Sequence, residues 1–244
     1  MASITRLGRL FTVLDYTLPG DVYMPKDPAM GFVLWLYGSA SNKDKHAKTL
    51  SFIAEGLNVP VFCFDYSGHG KAPFDYGKTT PAQHFLEVIT VYDELCAEFG
   101  CGGGAVIGGS YGAYLLLQLL KYRRVTAGIL RVPALLKPSS FYTRMENIEK
   151  DESLHWQVDE ALIRKHPLVN RASQNDSPML VIAHEKDELI PAVVPKVLHE
   201  MLAKSEYREI KGLEHSLHNA TVKQRQDYDK ILLEWLVSAQ KKTA

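Results

Sequence analysis

Long apolar runs are missing from this 244-residue chain. No stretch of about 18 apolar residues occurs, so the sequence offers no membrane-spanning helix. Met1 to Leu10 carries Arg6 and Arg9 but has neither a continuous apolar segment nor a small-residue cleavage site. It does not read as a secretory leader, and the expected location is cytoplasmic. Cysteine is scarce: Cys63, Cys96 and Cys101 are too few and too unevenly spaced for a disulfide framework or a zinc site. They read as reduced thiols, with Cys63 filling core space inside an apolar run, and no metal or cofactor is expected. An excess of one charge is absent as well. Lys+Arg and Asp+Glu both number 28, which leaves no electrostatic footprint for nucleic acid or an anionic membrane surface. The expected partner is a small, largely uncharged molecule. Internal repeats and low-complexity tracts are also lacking, and a hydrophobic fraction of 46% suits an ordinary globular chain with a sizeable core.

What is present is an alternation of short apolar runs with helical segments. Gly31 to Tyr37 (GFVLWLY) and Val59 to Tyr66 (VPVFCFDY) are apolar throughout and rich in β-formers, which is how strands buried on both faces of a parallel sheet read. Lys45 to Glu55 between them reads as a helix. A helix over Pro81 to Phe99, a strand over Ala105 to Gly109, a helix over Tyr111 to Lys121 and a strand over Val125 to Val132 follow. Ahead of these, Arg6 to Val13 and Asp21 to Met24 flank Pro19-Gly20, a turn signal that predicts an antiparallel hairpin at the sheet edge. After the polar, helix-prone stretch from Pro133 to Ser177, the pattern resumes with a strand at Met179 to Ala183. A helix at Val193 to Lys204, a strand at Tyr207 to Ile210 and an amphipathic helix from Thr221 to Val237 complete it, Tyr228, Ile231, Leu232 and Trp235 marking that helix's apolar stripe. The fold class is therefore α/β, a mostly parallel sheet of about eight strands with helices on both faces. Residues 1–244 read as a single domain, and 134–177 as a small helical insertion, a lid, too short to bury a core of its own.

Gly108-Gly109-Ser110-Tyr111-Gly112 matches G-x-S-x-G where a strand passes directly into a helix. A serine on so sharp a turn takes a strained conformation, tolerable when the residues two positions away carry no side chain to clash with strand and helix. Gly108 and Gly112 meet that need, and Ser110 is the candidate nucleophile.

A serine hydroxyl attacks only when a base takes its proton, and the base needs a carboxylate to hold its tautomer. The order serine, acid, histidine then selects Asp187, just beyond the strand at Met179 to Ala183, and His215 in Gly212-Leu213-Glu214-His215-Ser216. His218 is the rival base, and Glu185 and Glu188 are rival acids. For the oxyanion, one backbone donor is the N–H of Tyr111 at the helix start. The other is assigned to Ser39 in Tyr37-Gly38-Ser39-Ala40-Ser41, with Ala40 second.

With these residues in place, the sequence resembles the α/β-hydrolase superfamily of serine hydrolases over nearly its whole length. Asp65-Tyr66-Ser67-Gly68-His69-Gly70 resembles the D-x-x-G-x-G loop after the fourth strand of many members, which implies that His69 is structural. The Gly109-Ser110-Tyr111-Gly112 segment resembles prolyl-oligopeptidase-type peptidases, whereas the small insertion is more like compact esterases and acyl hydrolases. Two departures stand out: Tyr37-Gly38 replaces the family's frequent His-Gly, and Ala113 stands where the peptidase signature has a second glycine. The resemblance implies a carboxylic-ester hydrolase acting on a small-molecule acyl substrate through an acyl-enzyme, a cofactor-free serine esterase. Tyr37, Gly38, Tyr111 and Val132 are then expected at the acyl pocket, with Phe141, Tyr142 or Trp156 from the insertion. Two other readings remain. One is a peptidase using Glu146, Glu149 or Glu152 to hold a peptide amine; the other is a hydrolase-fold protein that binds without turnover.

Overall fold

The computed structural model describes residues 4–39, 41–148 and 156–243, so Ala40, Glu149 and Glu152 lie outside the described residues. One sheet of eight strands runs through them in the order β1-β2-β4-β3-β5-β6-β7-β8. The strands are β1 (Ile4–Val13), β2 (Tyr16–Pro25), β3 (Val33–Leu36), β4 (Val61–Phe64), β5 (Ala105–Gly109), β6 (Ala127–Arg131), β7 (Met179–Lys186) and β8 (Ser205–Glu214). β1 and β2 are antiparallel to their neighbours, and from β4 to β8 every pairing is parallel. All four residues of β3 and all four of β4 are buried, the reason their sequence shows no alternation.

The opening hairpin differs from expectation. Its two-residue turn is Leu14-Asp15, with Val13 opposite Tyr16, and Pro19-Gly20 lies inside β2 opposite Leu10 and Arg9. Pro19 fits there because the Asp65 N–H needs only its carbonyl, at 2.9 Å. Gly20 lets the Phe11 ring cross the strand, 2.6 Å from where a Cβ would stand. Leu14 adopts φ 54, a left-handed conformation that a sequence reading assigns to Gly or Asn before Leu.

The helices are α1 (Ala47–Leu57), α2 (Pro81–Glu98), α3 (Tyr111–Leu120), α4 (Glu160–Arg164), α5 (Pro167–Ala172), α6 (Val193–Met201) and α7 (Val222–Thr243). Thr80 caps α2 by accepting the Gln83 N–H, with Pro81 at the first helical position. Packing joins α1 to α7 on one side of the sheet, and α2 to α3, α3 to α5 and α5 to α6 on the other. Gly56 permits the α1–α7 contact: a Cβ there would stand 2.3 Å from Leu233 Cδ2. In α7 the buried stripe is Tyr228, Leu232, Trp235, Leu236 and Ala239, with Ile231 only partly buried. No helix among the described residues is long and apolar enough to cross a membrane.

Two strands outrun their expected limits, with consequences for the site. β7 continues to Lys186 and β8 to Glu214, and the ladder pairs Lys186 with Glu214 across a register irregularity at His184/Lys186. The polar ends looked like loop, yet this pairing makes Asp187 and His215 leave the sheet side by side.

Candidate active site

Ser110 leaves β5 with φ 51 and ψ −113, a region that costs a non-glycine residue about 1–3 kcal/mol. Its N–H donates to the Arg131 carbonyl at 2.8 Å, and its own carbonyl accepts from Ala113 at 3.0 Å and from Tyr114 and Ala134 at 3.3 Å. The two motif glycines leave no room for side chains. A Cβ on Gly108 would stand 2.5 Å from the Gly112 carbonyl oxygen, and one on Gly112 only 2.1 Å from that of Leu36.

His215 Nε2 lies 3.1 Å from Ser110 Oγ, and its Nδ1 lies 2.9 Å from Asp187 Oδ2 and 3.0 Å from Oδ1. An ionised carboxylate only accepts, so Nδ1 carries the proton and the Nε2 lone pair faces the serine hydroxyl. Asp187 is positioned in turn by the Leu189 and Ile190 N–H groups, each 2.9 Å from Oδ1. Its side chain is 5% exposed and that of His215 16%, so the imidazole is shielded but reachable. The rivals fall elsewhere: Glu185 accepts from Gly212 N–H and Lys211 at the surface, Glu188 is exposed, and exposed His218 gives its carbonyl to Arg225.

The His215 loop has a second anchor that sequence reasoning missed. His184 Nδ1 lies 2.6 Å from the Glu214 carbonyl, so it is the protonated nitrogen, and Nε2 accepts from the Tyr228 hydroxyl at 3.1 Å. Tyr228 accepts from Arg131 Nε at 3.1 Å. The chain Arg131–Tyr228–His184–Glu214 thus ends on the residue before His215. Burial pushes the His184 pKa down to about 4, which keeps the ring neutral as this pattern requires. The available signal was a lone charge, Arg131, closing an apolar strand, and a histidine closing another.

Gly38 brings the loop after β3 against the serine: a Cβ there would lie 3.2 Å from Ser110 Cβ. Among the described residues, the N–H groups of Ser39 and Tyr111 have no protein acceptor, leaving both available to a ligand oxygen.

Tyr37 and Tyr111 do not present their rings to this space. Tyr37 is 1% exposed, donates its hydroxyl to Asp65 Oδ1 at 3.0 Å and stacks on His46, because Asp65 at the end of β4 draws the phenol inward. The buried Tyr111 donates to His84 Nδ1 at 2.8 Å, since His84 Nε2 is taken up by the Ser67 carbonyl at 3.0 Å. Burial holds the His84 pKa down to about 3. Val132 is buried with φ 41, its N–H on the Ile182 carbonyl at 2.8 Å. In the insertion, Phe141 packs on Phe85 of α2 and Trp156 on His166, while Tyr142 is 80% exposed. Glu146 sits beside Gly77 and Arg144. His69 is buried among Tyr37, Tyr66 and Tyr76, with its Nδ1 on the Ser67 carbonyl, and Gly70 packs its backbone against the Asp65 carboxylate.

A cavity of about 490 Å³ opens at the other end of the sheet, lined by Arg124, Met179, Lys204, Glu206 and Trp235. It lies at the strand starts, whereas the serine, carboxylate and imidazole all stand at strand ends, where ligands of open α/β sheets gather.

No protein-family model matches the chain. Two uncharacterized proteins of Mycobacterium tuberculosis, from strains CDC 1551 and H37Rv, are 25% identical over 185 residues, 75% of this chain. The match spans 62% of their length. Among solved structures, Est1E from Butyrivibrio proteoclasticus with bound ferulic acid superposes with a TM-score of 0.75 at 14% identity, covering 96% of this chain and 99% of that one. A thermostable carboxyl esterase from Bacillus coagulans, in complex with glycerol, gives 0.73 at 13% identity over 97% and 99%. The acylaminoacyl peptidase of Pyrococcus horikoshii gives 0.69 at 13% over 96% of this chain and 41% of that one.

The chain has the α/β-hydrolase fold. Within an α/β-hydrolase sheet, Ser110 ends the central strand β5, and Asp187 and His215 reach back to it from β7 and β8 across the end of β6.

Proposed function

We propose that this α/β-hydrolase-fold protein is a cytoplasmic serine esterase that cleaves a carboxylic ester of small to medium acyl size. His215 takes the Ser110 proton as Oγ attacks the ester carbonyl, and Asp187 stabilises the imidazolium that forms. The tetrahedral oxyanion rests on the N–H groups of Ser39 and Tyr111, in place from the start of the reaction. His215 then protonates the departing alcohol, and a water activated by the same imidazole releases the acid from the acyl-enzyme. Every proton goes to a named atom, and the scheme calls on no cofactor. The segment 134–177 serves as a small cap on the acyl side, within a single catalytic domain.

One observation carries the reading: an imidazole nitrogen 3.1 Å from a serine hydroxyl oxygen, the ring's other nitrogen bonded to a shielded carboxylate. The preference for esters draws support from the esterases that share the fold. The test is a fluorophosphonate probe with a panel of p-nitrophenyl esters of graded chain length and aminoacyl amides, on wild type and Ser110→Ala. Labelling and ester hydrolysis are expected in wild type alone. Absence of labelling in the folded wild type, or equal labelling of Ser110→Ala, overturns the catalytic reading. Amide turnover exceeding ester turnover, each relative to its uncatalysed rate, overturns the ester assignment in favour of a peptidase.

A further inference from the structure

A guanidinium inside a domain ordinarily ends on a carboxylate, because a charge removed from water without a partner is costly. Arg131 does not. It closes β6, half-buried, and its side chain runs across β5 over Gly109, where Nη1 stands 3.7 Å from the point a Cβ would occupy. A larger residue before the serine would obstruct that path. The guanidinium carbon lies 5.0 Å from the Trp35 ring centroid and 4.8 Å from that of Tyr228, a cation held by two aromatic rings.

Nε is used on Tyr228. Among the described residues, the two Nη groups meet neither an acceptor nor an ion-pair partner. The nearby carboxylates are engaged elsewhere: Asp229 accepts from Thr49 at 2.9 Å, and Asp187 holds His215. His46 and His184, the imidazoles in its field, are kept neutral by burial and by Arg131 itself. A planar cation gripped by ring faces keeps its Nη edge free, and that edge matches the two oxygens of a carboxylate.

We propose that the Nη edge of Arg131 binds a carboxylate carried by the substrate, beside Ser110, so that the preferred esters are monoanions. This rests on the reading of Ser110 as nucleophile. It also refines the expectation of an uncharged ligand: a net charge of zero describes the whole chain, and one guanidinium whose Nη edge no carboxylate among the described residues contacts sets the local preference.

Two substrate pairs separate the carboxylate's sources. p-Nitrophenyl hydrogen adipate against p-nitrophenyl hexanoate tests an acyl-side carboxylate, and 4-carboxyphenyl acetate against 4-(methoxycarbonyl)phenyl acetate a leaving-group one. In wild type, kcat/KM is expected to favour the anion in one pair by about tenfold to a hundredfold, the range of a charged hydrogen bond. Arg131→Gln is expected to erase that ratio. Tyr228→Phe breaks the chain to Glu214 but keeps the Nη edge, so it is expected to lower both members of a pair together and preserve the ratio. A wild type that favours neither anion overturns the proposal, as does an Arg131→Gln enzyme that retains the preference. If Arg131→Gln does not fold, Arg131→Lys with the same readout replaces it, the single ammonium being expected to keep only part of the ratio and a fully kept ratio counting against the proposal. Fluorophosphonate labelling of wild type runs alongside: no labelling fails the nucleophile, whereas labelling without anion preference fails only the subsite.

Discussion

Ser110 holds a strained backbone because its surroundings allow nothing else: two glycines stand where any Cβ would strike backbone, and Arg131, Ala113 and Ala134 bond its peptide groups. Gly112→Ala drives a methyl into the Leu36 carbonyl, a backbone group that cannot rotate away. It is expected to cost about 1–3 kcal/mol in urea unfolding and to slow fluorophosphonate labelling, because the Tyr111 N–H moves with the helix start. Ser110→Ala is expected to lower kcat for a p-nitrophenyl ester by about 10⁶. Asp187→Asn leaves the geometry but offers an amide in place of the carboxylate, so His215 loses its tautomer, and kcat is expected to fall by about 10⁴. Titrating the turnover rate of these variants against wild type measures both. At this level the motif was legible, since a strand-to-helix serine between glycines needs only local sequence. Arg131, His184 and Tyr228 were not, because their bonds join three elements far apart in the chain.

Among the elements, the opening hairpin is the clearest case of context overriding local signals. Pro19-Gly20 reads as a turn, yet it stays in β2 because the Asp65 N–H takes the Pro19 carbonyl and Phe11 needs the space above Gly20. The turn falls instead on Leu14, 76% exposed and left-handed at φ 54. Leu14→Asn therefore removes backbone strain without removing packing, and is expected to raise stability by about 0.5–1 kcal/mol, read as a higher thermal midpoint. The ends of β7 and β8 teach the same lesson. His184-Glu185-Lys186 and Lys211-Gly212-Leu213-Glu214 are too polar to suggest strand, and it is the Lys186–Glu214 pair, beyond the register irregularity, that extends the ladder through them.

For the molecule as a whole, buried imidazoles set the response to acid. His46 and His84 are pushed down to about 3 and His184 to about 4, first of all by desolvation, against an ordinary value of 6.5. Below about pH 6.5 the unfolded chain takes up protons that the fold refuses, so stability present above that pH is lost progressively as pH falls toward 3. Each ring contributes up to about 1.4 kcal/mol per pH unit. Burial raises the pKa of Glu87, which acts in the opposite sense: its protonated form favours the fold as pH drops toward 4.5. His69 and His166 are lowered by burial as well, and Asp229 joins Glu87 in being raised by it, so five imidazoles stand against two carboxyls and the urea midpoint is expected to fall between pH 7 and pH 5. A flat or rising midpoint would contradict the neutral-imidazole pattern on which the Arg131–Tyr228–His184 chain depends.

The amino-acid pattern alone determined the α/β class, the chain order of the candidate residues Ser110, Asp187 and His215, and the limits of β5, Ala105–Gly109. These are set by solvent exclusion and local backbone sterics, which act within a few residues. Tertiary structure decided the rest: that Tyr37 and Tyr111 turn inward to Asp65 and His84, that Lys186 pairs with Glu214 so that Asp187 and His215 emerge together, and that Arg131 crosses Gly109 to lie between Trp35 and Tyr228. Each depends on a hydrogen bond or packing contact between segments distant in sequence, whose partner is known only once the sheet has assembled.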